Sequence, residues 1–262
     1  MKLGVSLPFA LVCGKPTGAE QLSLMEEYGT VRDLLYGLRL KGVKSIELRT
    51  VRTGADPADV LHAVRACRAT GLEVTIHGSL YDRETFLAPF RDLLAADLQE
   101  CYTITVHTAN IEKTAFMLQD LRHPNFRFAL ENNRRRLPPH QGMSTAGVLS
   151  IANAASPDQG LCWDWGHFYW NVSQAGVPDC MPTREFLSRV IHTHIHGVTH
   201  TTHFPPSDDN LPMRRYIRAL EDAGYQGVYN LELDFPRFSS VMSPKEGLLS
   251  ALTALKEAYR NA

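Results

Sequence analysis

The sequence predicts an α/β protein that folds as a single (β/α)8 TIM barrel over residues 1–262. Eight short apolar segments alternate along the chain with eight segments whose apolar residues recur at helical spacing. The length of 262 residues matches one such barrel, which takes about 250 residues, and no linker divides the chain. A doubly wound open sheet is the alternative, but the glycine-rich phosphate loop expected after its first strand is absent.

The predicted strands are short runs rich in β-branched and other apolar residues. They cover residues 2–7, 45–49, 73–77, 102–107, 126–131, 161–164, 190–196 and 228–233. The predicted helices cover residues 31–41, 57–70, 85–98, 111–121, 144–154, 183–189, 213–223 and 244–259. The second helix is the best marked, because Asp56 and Pro57 are a typical N-cap and first residue and Gly71 is a typical end.

The composition is that of an ordinary globular protein, with 44% hydrophobic and 21% charged residues. A net charge of −1 indicates neither a nucleic-acid-binding nor a membrane-binding surface. The five cysteines are widely spaced, which is typical of reduced thiols in a cytoplasmic protein. The apolar run before Cys13 is interrupted by Pro8, so we interpret it as a buried strand and not as a lipoprotein signal. No membrane span is expected, since no segment has 18 uninterrupted apolar residues.

An ionisable side chain stands at or near the carboxyl end of seven predicted strands. These side chains are Glu47, His77, His107, Glu131, Asp164, His194 or His196, and Glu232. A single one could simply be solvated at the rim of the barrel. Because the carboxyl ends of all strands meet at one rim, the carboxylates would repel one another unless a cation held them together. The pattern therefore predicts a metal centre.

The residue types of this set indicate which metal ion it prefers. Glu131, Asp164 and Glu232 each end an otherwise apolar segment, and an unpaired buried charge is strongly unfavourable. Together with one histidine they form a mostly oxygen ligand set, which suits Mn²⁺, Mg²⁺ or Co²⁺ and tolerates Zn²⁺. His77 and His107 could orient a neighbouring carboxylate or bind an additional Zn²⁺.

The segment LCWDWGHFYW, residues 161–170, contains all three tryptophans of the chain. It can be a tryptophan-rich core strand or the wall of a ligand pocket, and the ionisable residues on the neighbouring strands favour the pocket. We therefore expect Trp165 and the other aromatic side chains here to stack on a bound ligand or to exclude water from it. His203, which precedes Phe-Pro-Pro in the loop after the seventh strand, is expected to be fixed over the site.

Two arginine-containing segments are candidates for binding an anion. Arg49 stands at the end of the second strand and is the better placed of the two. The basic run at residues 134–136 is interpreted as a charged, solvated loop.

Eight short motifs make the whole chain resemble the xylose isomerase-like barrel superfamily. In chain order they are IELR, TIHG, TVHT, ALENN, CWDWGH, HTHIHG, HFPPSDDNLP and NLEL. The superfamily contains ketose epimerases, hydroxypyruvate isomerase-like enzymes, inosose dehydratases and the endonuclease IV repair nucleases.

The resemblance to the epimerase and isomerase branch implies one divalent metal ion held by Glu131, Asp164, His194 and Glu232. The two glutamates would also face the substrate from opposite sides, one removing a proton next to the carbonyl and the other returning one, while the metal stabilises the enediolate. His167 would bind a substrate oxygen. The first hypothesis is therefore a metal-dependent isomerase or epimerase acting on a small sugar or sugar phosphate.

The strand-seven pattern of this branch, His-x-His followed by an apolar residue, favours His194 over His196 as the ligand, although both face the same side of the strand. His196 and His203 are then expected to bind substrate together with Arg49 and Trp165. Because barrels of this kind often dimerise, the resemblance also suggests a homodimer.

The nuclease branch, which binds three zinc ions, is the source of the second hypothesis. Its ligands match His77, His107, Glu131, Asp164, His167, His194, His203 and Glu232. The match ends at Thr201, where that branch has an aspartate, so the third ion would keep only two ligands. The missing basic surplus disfavours, without excluding, a nucleic-acid partner. The alternatives are thus an endonuclease IV-like zinc-dependent phosphodiesterase acting on DNA and a non-catalytic barrel that binds a metal and a small ligand.

Overall fold

The computed structural model of the chain describes residues 1–96, 101–108, 111–135 and 140–262. Within these ranges, eight parallel strands close into a barrel in which each strand pairs with the next and the last pairs with the first. The predicted (β/α)8 barrel is confirmed.

The strands lie within two residues of their predicted bounds. They are β1 (Lys2–Pro8), β2 (Val43–Arg49), β3 (Glu73–Gly78), β4 (Tyr102–His107), β5 (Phe126–Glu131), β6 (Gly160–Asp164), β7 (Val190–Ile195) and β8 (Val228–Leu231). Because β7 and β8 end early, His196 and Glu232 stand just beyond the last paired residues.

The described helices surround this barrel. They are α1 (Phe9–Val12), α2 (Ala19–Tyr28), α3 (Val31–Leu40), α4 (Pro57–Ala69), α5 (Arg83–Leu87), α6 (Arg91–Ala95), α7 (Ile111–Asp120), α8 (Thr145–Ala155), α9 (Trp165–Ser173), α10 (Arg184–Ser188), α11 (Met213–Asp222) and α12 (Pro244–Arg260). None of these described helices is long and apolar enough to cross a membrane.

Some helices differ from the prediction. The helices α1 and α2 occupy a segment expected to be a loop, and α2 was missed because it buries only Leu24 and so has little periodicity. The helix predicted at residues 85–98 is interrupted by a 3-10 turn at Ala88–Phe90, because Pro89 lacks the N–H that a continuous helix needs. Its last two residues, and residues 136–139 of the predicted basic loop, lie outside the described residues.

The helix α9 begins directly after β6 and was not predicted. The side chain of Asp164 caps it by accepting a hydrogen bond of 2.6 Å from the His167 backbone N–H. This abrupt start places His167 in the first turn of the helix, beside the last residue of the strand.

The interior of the barrel contains polar side chains. Ile46 and Leu48 of β2 belong to the hydrophobic core, whereas Glu47 between them contacts Ser6, Thr105, His192, His194 and Asn230, which stand on β1, β4, β7 and β8. Bulky branched residues usually fill the interior of such a barrel. A buried polar interior therefore indicates that these groups serve something other than packing.

Candidate metal centre

Four side chains meet at the carboxyl end of the barrel. They are Glu131, Asp164, His194 and Glu232, and their ligand atoms all lie within 4.8 Å of one another. The Nδ1 atom of His194 is 3.4 Å from Glu131 Oε1, 4.0 Å from Asp164 Oδ2 and 3.4 Å from Glu232 Oε2. The structure thus brings together the four residues that the sequence predicted as ligands, and their role as ligands stays a prediction.

The chemistry of this group fits a divalent cation. Glu131, Asp164 and His194 are fully buried, yet both oxygens of Glu131, Asp164 Oδ2 and His194 Nδ1 form no hydrogen bond with any described residue. Buried polar atoms are nearly always paired, because leaving them unpaired is costly. Three carboxylates with one imidazole make an oxygen-rich set of the kind that binds Mn²⁺, Mg²⁺ or Co²⁺.

The charges at the site are strongly coupled. Burial opposes ionisation of Glu131, but the positive charge of His107 and His194 outweighs it and holds the pKa of this carboxyl well below its usual value. At Glu232 burial is likewise outweighed, by His194 and His203, so its pKa is also well below the usual value. The site is therefore a concentrated negative charge that attracts protons or metal ions, and metal binding displaces those protons.

Glu47 supports His194 from below. Its Oε2 atom lies 2.9 Å from His194 Nε2 and 3.0 Å from His192 Nε2, and all three side chains are fully buried. A carboxylate only accepts hydrogen bonds, so Nε2 of His194 carries a proton, and Nδ1, which faces the three carboxylates, is the atom that would give up its own proton to bind a metal ion. Ser6 donates a hydrogen bond of 2.6 Å to the other oxygen of Glu47.

The depth of Glu47 and the contribution of His192 were not predicted. Glu47 stands two residues before the end of β2, and its partner in the register is Ser6 of β1, so it lies one layer below the strand ends. His192 is two residues before His194 and therefore faces the same side of β7. That spacing was the available signal for His192.

His167 contacts the same carboxylates from α9. Its Nδ1 atom is 3.1 Å from Asp164 Oδ2, 3.3 Å from Glu131 Oε1 and 3.2 Å from the backbone oxygen of Asn132. Because a carbonyl oxygen can only accept, Nδ1 carries the proton. The remaining ring nitrogen, Nε2, is then available to a substrate oxygen or to an ion.

His77 and His107 form a second group around Glu131. Each Nε2 atom lies 3.3 Å from Glu131 Oε2, and the three ligand atoms are close enough to hold an ion. His77 is largely buried and stacks on His194, whereas the side chain of His107 is 44% exposed at the rim. The geometry accommodates either role predicted for this pair, support of Glu131 or binding of an additional ion.

His203 and His196 form a stacked pair above Asp164 and Glu232. The rings lie 4.1 Å apart, and the backbone N–H of His203 donates to His196 Nδ1 at 2.9 Å. His203 has a positive φ of 64° and places its Nε2 atom 3.4 Å from Glu232 Oε2. His196 lies beneath it, 3.2 Å from Asp164 Oδ1 and fully buried. The ring of His203 thus separates His196 from the cavity, and the predicted contact of His196 with substrate is not supported by this arrangement.

Trp165 also lies elsewhere than predicted. Its side chain is fully buried and packs against Trp163, Tyr216 and Tyr229, so it belongs to the core between the barrel and its helices. The predicted contact with substrate is not supported by this position, because Trp165 begins the unpredicted helix α9 and packs against residues of α11 and β8. Trp163 and Phe168 share this buried cluster.

A cavity of about 380 Å³ opens above the carboxylates. It is lined by Pro8, Gln21, Arg49, Thr50, His77, His107, His167, His203, Glu232, Asp234 and Arg237. Arg49 therefore lies where the sequence predicted an anion partner, whereas Arg237 and Asp234 were not singled out. Asp234 precedes and Arg237 ends a single 3-10 turn after β8, Phe235–Arg237, which is too short for periodicity to indicate which side chains turn inward.

The chain matches a protein family over most of its length. Residues 38–258 match the family model described as xylose isomerase-like TIM barrel. A curated relative, the uncharacterized protein MJ1188 of Methanocaldococcus jannaschii, is 45% identical over 67 residues, which are 24% of this chain and 25% of that protein. The aligned segment thus spans about a quarter of that relative.

Three solved structures share the fold. A sugar phosphate isomerase/epimerase from Parabacteroides distasonis has a TM-score of 0.61 at 14% identity and covers 96% of this chain and 94% of its own. D-psicose 3-epimerase, crystallised in the presence of D-fructose, has a TM-score of 0.59 at 11% identity and coverage of 100% and 98%. A xylose isomerase domain protein from Planctomyces limnophilus has a TM-score of 0.56 at 16% identity and coverage of 99% and 98%.

At these identities the structural likeness establishes the fold alone, whereas the family match spans the segment from α3 to α12 and includes all four residues of the candidate metal centre. The chain belongs to the xylose isomerase-like TIM barrel family.

Proposed function

We propose that the protein is a divalent-metal-dependent isomerase or epimerase that moves a proton next to the carbonyl of a sugar or sugar phosphate. The observation that carries this proposal is the placement of two carboxylates, Glu131 and Glu232, each 3.4 Å from the same His194 Nδ1 atom. Two carboxylates that flank one metal-binding position can remove a proton from one face of a substrate carbon and return a proton to another face.

The surroundings of the two glutamates suit proton transfer. Both carboxyls have a pKa well below the usual value, so both are in the ionised form that a proton acceptor requires, although the low pKa also makes each of them a weaker base. Glu232 lines the cavity directly, and Glu131 lies beneath His77 and His107, which line it as well. His167 would donate to or accept from a substrate oxygen through Nε2.

A cation bound by Glu131, Asp164, His194 and Glu232 would offset the negative charge that develops on the carbonyl oxygen as the neighbouring proton leaves. The residues above it would exclude water, since His203 lines the cavity and stacks on His196, which in turn contacts Asp164.

Hydrogen exchange with solvent tests the proposal. The Mn²⁺-loaded protein is incubated in D₂O with a panel of ketoses and ketose phosphates, and deuterium next to the carbonyl is measured by mass spectrometry. We expect exchange in the parent protein and a loss of about 10²- to 10⁴-fold in each of Glu131→Gln and Glu232→Gln. Glu112→Gln, on the exposed face of α7, is the matched control and should retain full exchange. Full exchange in either folded site variant contradicts the two-glutamate mechanism.

A zinc-dependent phosphodiesterase is the second candidate, and the group of His77, His107 and Glu131 favours it, because it could hold an additional ion. Against three ions, Thr201 stands where the nuclease branch has an aspartate, and its hydroxyl accepts a hydrogen bond from the positively charged Arg237. Metal analysis of the purified protein and a nicking assay on abasic-site duplex DNA separate the candidates. Two or more zinc ions with cleavage lost in Glu131→Gln would favour the phosphodiesterase.

A further inference from the structure

The cavity has two ends of different chemistry. Its inner end is formed by Glu232 and the histidines above the carboxylates, and its outer end by Arg49, Arg237 and Asp234 together with Gln21 and Thr50. The arginines come from opposite sides of the β1 strand, one at the end of β2 and the other after β8. The outer end is thus built from parts of the chain that only the closed barrel brings together.

The two arginines share one carboxylate. Asp234 Oδ2 accepts a hydrogen bond of 2.8 Å from Arg237 Nε, and Asp234 Oδ1 lies 3.7 Å from Arg49 Nη2. Both guanidinium groups are permanently charged, so the three side chains together keep one excess positive charge. The side chain of Arg49 is only 15% exposed, which makes an unbalanced charge more costly there than on an open surface.

Both guanidinium groups are held in place but keep free donors. Arg49 Nη1 donates to the backbone oxygen of Leu233 at 2.7 Å, and Arg237 Nη1 donates to Thr201 Oγ1. Among the described residues, neither Arg49 Nε nor Arg237 Nη2 has a hydrogen-bond partner. Fixed guanidinium groups with unused N–H donors are well suited to bind the oxygens of a phosphate or carboxylate.

The inner end of the cavity determines the orientation of a charged substrate. Its carboxylates, Glu131, Asp164 and Glu232, only accept hydrogen bonds, whereas the outer end offers the unused N–H donors of two guanidinium groups. An anionic group is therefore attracted to the arginine end. The cavity of about 380 Å³ is within the usual range for a small-molecule site.

We infer that the substrate carries an anionic group, a phosphate or a carboxylate, which Arg49 and Arg237 bind at the outer end of the cavity while its carbonyl end faces Glu131 and Glu232. This inference rests on the proposed function for the position of the carbonyl. The anion subsite itself is a property of the two arginines.

Titration calorimetry of the Mn²⁺-loaded protein with inorganic phosphate and, separately, with acetate tests the subsite. We expect at least one of the two anions to bind, and Arg49→Gln and Arg237→Gln each to weaken that binding by about tenfold or more. Arg52→Gln is the matched control, because Arg52 is exposed three residues from Arg49 and does not line this cavity. Arg49→Lys and Arg237→Lys, which keep the charge, should weaken binding less than the glutamine variants and serve if the latter do not fold.

Comparing the two anions shows whether the anionic group of the substrate is a phosphate or a carboxylate. Tighter binding of phosphate supports a phosphorylated substrate, and tighter binding of acetate supports a sugar acid. Binding that the four arginine variants leave unchanged places the anion elsewhere and overturns the inference, as does the absence of binding by both anions. The same titration in Glu131→Gln separates the two proposals, since loss of hydrogen exchange with retained anion binding leaves the subsite intact.

Discussion

Replacing Glu47 by glutamine tests whether the polar interior of the barrel serves the metal centre. Glutamine has the size of glutamate and can keep its amide oxygen toward His192 and His194, which lie 3.0 and 2.9 Å from Glu47 Oε2. Its NH₂ group would then face Ser6, whose hydroxyl can rotate to accept. Glu47→Gln therefore removes a negative charge with little change of shape.

The expected effect is a weakening of the hydrogen bonds from His192 and His194, because their acceptor is no longer ionised. A hydrogen bond to an ionised group is roughly twice as strong as a neutral one. The pKa of Glu47 shows how much the charge matters: burial opposes ionisation, yet His194 and His192 outweigh it and hold this pKa well below the usual value. Without the carboxylate, Nδ1 of His194 becomes a weaker base. Loss of such a support typically weakens metal binding by about 10- to 100-fold.

The assay is calorimetric titration of the metal-free full chain with Mn²⁺, with circular dichroism to check folding. Ser6→Ala is the matched control, because it removes a hydrogen bond to the same carboxylate and leaves both imidazole contacts in place. We expect it to lower the free energy of unfolding by about 1 kcal/mol and to leave Mn²⁺ affinity close to that of the parent. A folded Glu47→Gln variant that binds Mn²⁺ as tightly as the parent would refute the reasoning, as would an equal loss in Ser6→Ala.

Three further predictions concern packing, thiol reactivity and pH. Gly166→Ala should lower the free energy of unfolding, measured by urea titration, by about 1–3 kcal/mol. The reason is that a Cβ at Gly166 would lie 2.0 Å from Cε1 of His196. An unchanged unfolding midpoint would show that the His196 ring can move. Iodoacetamide at pH 8 should label exposed Cys101 quickly and leave Cys67 unlabelled until the protein unfolds. The reason is that Cys67 is buried, and burial raises the pKa of its thiol to about 12. Rapid labelling of both cysteines in the folded protein would contradict the packing of α4. Burial and, secondarily, the charge of His196 lower the pKa of His203 from 6.5 to about 4. Between these two pH values the unfolded state binds a proton at His203 that the folded state does not bind, so the free energy of unfolding falls as the pH falls. The free energy of unfolding of metal-free His203→Asn should therefore rise by about 2 kcal/mol relative to that of the parent when the pH is lowered from 7 to 5. A difference between variant and parent that does not change with pH would contradict the lowered pKa.

The candidate site was largely predictable because its residues occupy similar positions on consecutive strands. Asp164 and Glu131 are the last residues of β6 and β5, and all strands of a parallel barrel end at the same rim. An alternating strand also shows which residues share a face, so His194 could be assigned to the inner face of β7. These features depend on local order along the chain alone.

Alternation does not show how deep in the barrel an inward-facing residue lies. Glu47 and Glu131 both face inward, but Glu47 is two residues before the end of its strand and Glu131 is the last residue of its own. The stagger between strands decides which of them reaches the rim. For this reason Glu47 lies beneath His194 and supports it, whereas Glu131 belongs to the candidate metal centre.

From the sequence alone, periodicity and the common rim of parallel strands predicted the barrel, the order of its elements and the ionisable side chains at its carboxyl end. The resemblance to the epimerase and isomerase branch then selected four of those side chains, with His194 preferred over His196. Tertiary structure alone decided that Trp165 packs in the core, that His203 covers His196, and that Arg237 joins Arg49 across Asp234. The physical reason is that these contacts join irregular segments or separate layers, whose positions depend on the closure of the barrel and not on any local pattern.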